Sequence, residues 1–321
     1  MKTNKLYQPI VFSVKLIIFA LAIYYLYTQY TQRNLDNLGH VIREQLLSGI
    51  GIAIFIGLIL LQFVNYALEN LKWRLILPEL NQLTFLKTQK AVYAGNAIAI
   101  LTPDRLGTFI GRFSYLKEYS KSRITLSTFV GNYAQLVTTL LFSLIGMVLA
   151  WNMNFTFQFP ENLGINILII CMIVICCIAI FIFYNQQTAI DLLKRSKRKY
   201  AKEMTERFKF MDHLTTSKHH FILSTAILRY TTFVSQFYLA LILFGADVSL
   251  IWTIAFCGIL YLFSTIIPSP FMGNLGTREA VGVYLVSPLG LEEPVILASL
   301  FIWLINVVLP SLLGGLILLK K

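Results

Sequence analysis

The sequence predicts an all-α polytopic membrane protein, with about six full transmembrane helices and two re-entrant, proline-broken helical hairpins in an inverted repeat. Three observations predict it. Hydrophobic residues make up 57% of the chain and charged residues only 13%, with a mean hydropathy of +0.69, whereas soluble domains carry about 25% charged residues. Several windows hold the roughly 20 mostly apolar residues that a bilayer crossing needs. Two further apolar stretches are each interrupted by proline and glycine in similar settings.

The first span is expected at 9–30. Lys2 and Lys5 precede it, but its apolar run is too long for a signal-peptide core and no small-residue cleavage site follows, so it is read as a retained anchor. With an outer loop it makes up segment 1–45. The first repeat, 46–150, places spans 47–69 and 124–150 around a broken hairpin at 86–118. Segment 151–218 holds span 163–184 and most of the polar loop 185–220, which is too short for a core of its own. The second repeat, 219–321, places spans 221–244 and 294–318 around a broken hairpin at 248–290. Cys171, Cys176 and Cys177 lie in one span and Cys257 in the second hairpin, without the polar partners that metal sites cluster. Inert thiols are expected, with no disulfide, metal or cofactor.

The formal net charge of +12 is unevenly spread. With the N-terminus inside, the inner segments carry Lys2 and Lys5; Lys72, Arg74, Lys87 and Lys90; Arg112, Lys117, Lys121 and Arg123; nine basic residues from Lys194 to Lys218; and Lys320 and Lys321. The outer loops hold only Arg33 and Arg43. Lys and Arg accumulate on the cytoplasmic side of membrane proteins, so both termini are expected in the cytoplasm and the chain in the inner membrane. The basic run Lys194–Lys199 reads first as a topology determinant; the alternative is a surface for anionic inner-leaflet lipids. No nucleic-acid partner is expected.

The first hairpin breaks at Leu101-Thr102-Pro103-Asp104-Arg105-Leu106-Gly107-Thr108, the second between Pro268 and Glu279. Non-helical backbone at membrane depth persists only where protein or a watery cavity covers it, so two breaks imply an internal polar cavity. Leu106-Gly107-Thr108 recurs as Leu275-Gly276-Thr277, each copy after a proline break. By the charge count one hairpin enters from each side, the arrangement of transporters whose sites form from discontinuous helices at the midplane. Arg105 and Arg278 sit beside the N-termini of the second legs, where exposed amides and the helix dipole favour an anion. An arginine fork there matches phosphate. The competing reading makes Asp104 and Glu279 structural ion partners of those arginines.

Three spans carry polar residues at i, i+3, i+7, on one helix face: Gln62, Asn65 and Glu69; Asn132, Gln135 and Thr139; Arg229, Thr232 and Gln236. Interhelical hydrogen bonding explains such faces in any bundle; together with the two breaks, a shared cavity is the preferred expectation.

The stretch Asn96 … Pro103-Asp104-Arg105-Leu106-Gly107 … Arg112, with Pro268 … Gly273-Asn274-Leu275-Gly276-Thr277-Arg278-Glu279-Ala280, resembles the flippase-like membrane region of the lysylphosphatidylglycerol synthases. The second segment is similar to that family's P-x-x-G-G-x-G-x-R-E-A signature. Asn274 stands where the family has glycine and Thr108 where it has glutamate. The resemblance covers roughly 46–318. It implies movement of a polar-headed lipid between leaflets, and the end of the chain at Lys321 leaves the synthase chemistry out of the expectation. The lipid expected is a phospholipid or a polyprenyl-linked lipid. Its phosphate would be seated by Arg105, Arg278 and the half-helix N-termini, with Asp104, Glu279, Asn96, Gly107, Gly276, Arg112 and Arg229 completing the site. No catalytic or nucleotide-binding motif is present, so a non-enzyme is expected. The alternatives are a membrane-embedded transferase using Asp104 or Glu279 as base, and a non-transporting scaffold for a lipid-synthesis enzyme.

Overall fold

The computed structural model describes residues 44–102, 106–155, 157, 165–186, 208–267 and 274–320, together with Tyr24. The rest of the predicted first span, the basic run Lys194–Lys199 and both hairpin tips, 103–105 and 268–273, lie outside the described residues.

Within them the chain is helical. α1 runs Gly49–Ile76, α2 Phe85–Ala99, α3 Gly107–Tyr115, α4 Lys121–Asn152, α5 Ile165–Tyr184, α6 Thr216–Leu243, α7 Leu250–Ile266, α8 Thr277–Val286, α9 Glu292–Trp303 and α10 Leu309–Leu319. Several starts are set by hydroxyl caps that satisfy otherwise unpaired amides. Ser48 accepts from the Gly51 amide at 2.9 Å, Thr84 from Lys87 at 3.3 Å and Ser249 from Trp252 at 3.1 Å. α9 passes into α10 through a π-helical turn at Leu304–Val308. Pro310 has no amide hydrogen to return to the Asn306 carbonyl; the Tyr66 hydroxyl donates to that carbonyl instead, at 2.7 Å.

Among the described residues, five stretches are long and apolar enough to cross a bilayer: α1, α4, α5, α6 and the continuous Glu292–Leu319. They match the predicted spans from the second to the sixth. α2 and α3 have 15 and 9 residues, α7 and α8 have 17 and 10. At 1.5 Å per residue the longest leg is about 25 Å, short of the ~30 Å hydrocarbon core.

Apolar side chains face outward, as on α5 with Ile167, Ile170, Val174 and Phe181 all exposed. Polar ones are buried: Gln62, Asn65, Glu69, Lys72, Arg112 and Gln236 are each at most 5% accessible. Helices in lipid gain little from apolar burial against one another, so they associate through close packing of small residues and interhelical hydrogen bonds. Two contacts show both devices. On α4, Ser143 Oγ donates to the Gly258 carbonyl of α7 at 2.8 Å, and Gly146 lies against the Ala255 carbonyl. On α10, Ser311 Oγ donates to the Asn96 carbonyl of α2 at 3.1 Å, and Gly314 lies against the Tyr93 carbonyl. In each pair one residue number rises as its partner's falls, so the helices run antiparallel. α1 and α6 are also antiparallel, with Gln236 reaching the Leu58 carbonyl while Arg229 reaches Asn65.

Candidate functional site

The last turns of α1 place Glu69 and Lys72 on one face, and their side chains pair at 2.8 Å. α3 folds back along α2 because Gly95 and Gly111 leave no side chain between them. A Cβ on Gly95 would meet the Thr108 carbonyl at 3.0 Å and Arg112 Cγ at 3.2 Å. This approach carries Arg112 into the bundle, where its Nη2 donates to Glu69 at 2.7 Å and its Nη1 to Thr128 at 3.2 Å. Its guanidinium carbon lies 4.5 Å from the ring centroid of Trp73, a cation–π contact that strengthens where water is excluded. α6 brings Arg229, whose Nη1 lies 2.8 Å from Glu69 and whose Nε donates to Asn65 at 2.7 Å. One buried carboxylate therefore faces three cations.

A partly open cavity of about 360 Å³ borders this cluster, lined by Glu69, Arg112, Arg229, Asn96, Thr108, Asn132, Gln135 and Thr139 among others. A second, of about 270 Å³, shares Tyr66, Gln135, Thr139, Arg229 and Thr265 with it and continues to Ser264, Asn274, Arg278 and Asn306. Asn306 joins three helices across the floor: its amide donates to Gln236 at 2.9 Å and accepts from Asn65 at 3.3 Å. The three polar faces thus meet at one connected space, with Glu69 from α1, Asn132, Gln135 and Thr139 from α4, and Arg229 from α6 lining it.

The structure brings Asn96, Arg112 and Arg229 to the first cavity and Arg278 to the second. Arg278 is also tied to the protein. Its Nη2 donates to the Ser299 carbonyl at 2.6 Å and to Glu279 at 3.1 Å, and its Nε donates to Ser299 Oγ at 3.0 Å. Glu279 is fully buried behind it and accepts from the Gly276 amide at 2.6 Å; it borders neither cavity. Gly107 and Gly276 shape the hairpins instead. A Cβ on Gly107 would strike the Ile98 carbonyl, and Gly276 has φ +81°. Asp104 and Arg105 lie outside the described residues.

Two residues correct the sequence-based expectation. Lys72 and Arg112 are not cytoplasmic loop charges: they are 0% and 2% accessible and belong to the Glu69 cluster. Lys72 was legible from its i, i+3 spacing to Glu69; the role of Asn306 had no local signal.

Because Arg278 and Glu279 are buried against each other, Arg278→Ala and Glu279→Ala are each expected to lower stability by about 3–5 kcal/mol, the usual result of leaving one buried charge unpaired. The double variant should lose less than the sum, as thermal denaturation in detergent will show; an additive loss would mean the pair is not coupled.

Residues 12–314 match the family described as the lysylphosphatidylglycerol synthase TM region. The chain belongs to this family. No curated protein matches the chain. As a member of the lysylphosphatidylglycerol synthase TM-region family, it is a multi-pass membrane protein related to lipid modification or translocation. The family match begins well before residue 46, where the motif-based resemblance began, and so takes in most of the predicted first span. Asn274, which replaces a family glycine, has φ +68°. Asparagine is among the few side chains that enter this left-handed region readily, and its amide donates to the Ser264 carbonyl at 2.9 Å.

Proposed function

We propose that this protein moves a polar-headed, phosphate-bearing lipid between the leaflets of the inner membrane, acting as a transporter and not as an enzyme. The observation that carries the reading is the cluster of cations beside the cavity: among the described residues, Lys72, Arg112 and Arg229 converge on Glu69. An arginine at mid-bilayer costs about 2.5–3.5 kcal/mol on insertion scales, and two of them on the wall of a polar cavity suit an anionic ligand. A headgroup phosphate there would accept from the Arg112 and Arg229 forks, while the acyl chains stay in the bilayer.

Part of this proposal is an inverted repeat with two re-entrant hairpins and both termini in the cytoplasm. The two serine–glycine clasps support it. Ser143-Leu144-Ile145-Gly146 of α4 grips α7, the first leg of the second hairpin, and Ser311-Leu312-Leu313-Gly314 of α10 grips α2, the first leg of the first. The exchange is reciprocal, as a two-fold axis in the membrane plane requires. Rocking of the two halves about the α1–α6 contact would then open the cavity to alternate sides.

The test is leaflet exchange of a fluorescent phospholipid in vesicles containing the purified protein. Arg229→Gln should abolish exchange with little loss of stability, because Glu69 keeps Lys72 and Arg112. Arg229→Lys should recover part of it, since an ammonium keeps the charge but loses the fork. Full exchange by a folded Arg229→Gln protein would overturn the proposal.

A further inference from the structure

A second basic pocket, of about 350 Å³, lies where α2 begins and α10 ends, lined by Lys87, Lys90, Tyr115, Glu118, Ile317 and Lys320. The register of the two helices makes it. Tyr93 lies level with Gly314 and Asn96 with Ser311; continued outward, this antiparallel register sets Lys90 beside Ile317 and Lys87 beside Lys320.

Among the described residues that line it, three ammonium groups thus gather around one carboxylate, and Glu118 is engaged by Lys87 at 2.7 Å. Lys87 and Lys90 also occupy the first turns of α2, the positive end of its dipole, where cations are disfavoured. Both placements favour an anion in the pocket. The surroundings identify which kind. Leu312, Leu316 and Leu319 of α10 are exposed at 62%, 56% and 85%, a stripe at i, i+4, i+7 that ends next to Lys320 in the chain, and Phe85 and Leu86 are exposed on the first turn of α2 that carries Lys87. Cationic groups at the end of an apolar, lipid-facing stripe suit a molecule with a charged head and acyl chains.

We infer that this pocket binds the phosphate headgroup of an anionic membrane lipid, at a site separate from the central cavity. Lys90 and Lys320 hold the phosphate and Tyr115 and Ile317 border it. Basic pockets of this kind between membrane helices are established sites for anionic headgroups. The inference does not depend on the transport reading, because none of its residues borders the central cavity.

The experiment titrates the full chain in detergent with dihexanoyl phosphatidylglycerol, dihexanoyl phosphatidylcholine or inorganic phosphate, counting retained ligands by native mass spectrometry. The anionic lipid should be retained in preference to the zwitterionic one. In Lys90→Gln/Lys320→Gln one bound phosphatidylglycerol should become about thirtyfold weaker, roughly fivefold per lysine. Lys90→Arg/Lys320→Arg, which keeps both charges, should retain it, and both variants should melt as the parent does. Unchanged phosphatidylglycerol binding by the glutamine variant would overturn the inference. So would displacement by an equal concentration of inorganic phosphate, which would make the pocket a site for the free anion.

Discussion

Glu69→Gln is expected to leave little folded protein, although the new side chain has almost the shape of the old one. The substitution removes only the charge, and the charge is what Lys72, Arg112 and Arg229 share at 2.8, 2.7 and 2.8 Å. Leaving even one buried ion unpaired typically costs about 3–5 kcal/mol, against a total stability of roughly 5–15 kcal/mol for a domain. Three cations would lose this carboxylate charge at once. Thermal denaturation and the yield of monodisperse protein in detergent measure the effect. Adding Lys72→Met should restore part of the lost stability, because one fewer buried cation then depends on the lost charge. A Glu69→Gln protein that melts like the parent would show that the cluster does not hold the bundle together. The contrast with Arg229→Gln is what makes the pair of experiments informative. Removing the anion deprives three groups, whereas removing one cation leaves the anion with two.

Gly314→Val should separate α10 from α2, while Gly315→Val one position on should be tolerated. A Cβ on Gly314 would fall inside the van der Waals envelope of the Tyr93 carbonyl, while at Gly315 it would meet nothing within 4 Å. Because the obstacle at Gly314 is backbone, no rotamer change relieves it and the helices must move apart. Forced overpacking of this kind costs about 1–3 kcal/mol and at times more. The displacement would also disturb the Ser311 bond to the Asn96 carbonyl. A lower melting midpoint for Gly314→Val and a near-parental one for Gly315→Val are the expected results. Equal midpoints would mean that α10 does not pack on α2 at Gly314.

Much of this architecture is legible in the chain itself. α1, α4, α5, α6 and the Glu292–Leu319 helix follow from apolar length alone, and their ends lie within a few residues of the predicted limits except where α1 and α6 run on past them. α1 continues to Ile76 because Lys72 and Arg74, which suggest a loop, are both accommodated: Lys72 is buried against Glu69, and Arg74, half-buried, donates to the Leu83 carbonyl and Thr88, both at 3.1 Å. The polar faces of α1, α4 and α6 are legible as well, because spacing at i, i+3, i+7 is a property of one helix and needs no neighbour.

What the spacing could not convey was who meets whom. Arg278, expected to hold an anion, lines the second cavity and is also bound to Ser299 and Glu279. The convergence on Glu69 comes from two other expected site residues, Arg112 on α3 and Arg229 on α6, 43 and 160 residues further along the chain. That meeting depends on how far each helix slides along its neighbours, which close contacts such as Gly111 on Ala94 and Gly146 on Ala255 determine. Residue types and their helical periodicity are written locally, so the sequence by itself determined the spans, the breaks and the polar faces. Interhelical register comes from small residues packing against backbone far away in the chain, so only the tertiary structure decided which charges are buried together, and therefore where the cavity carries its arginines.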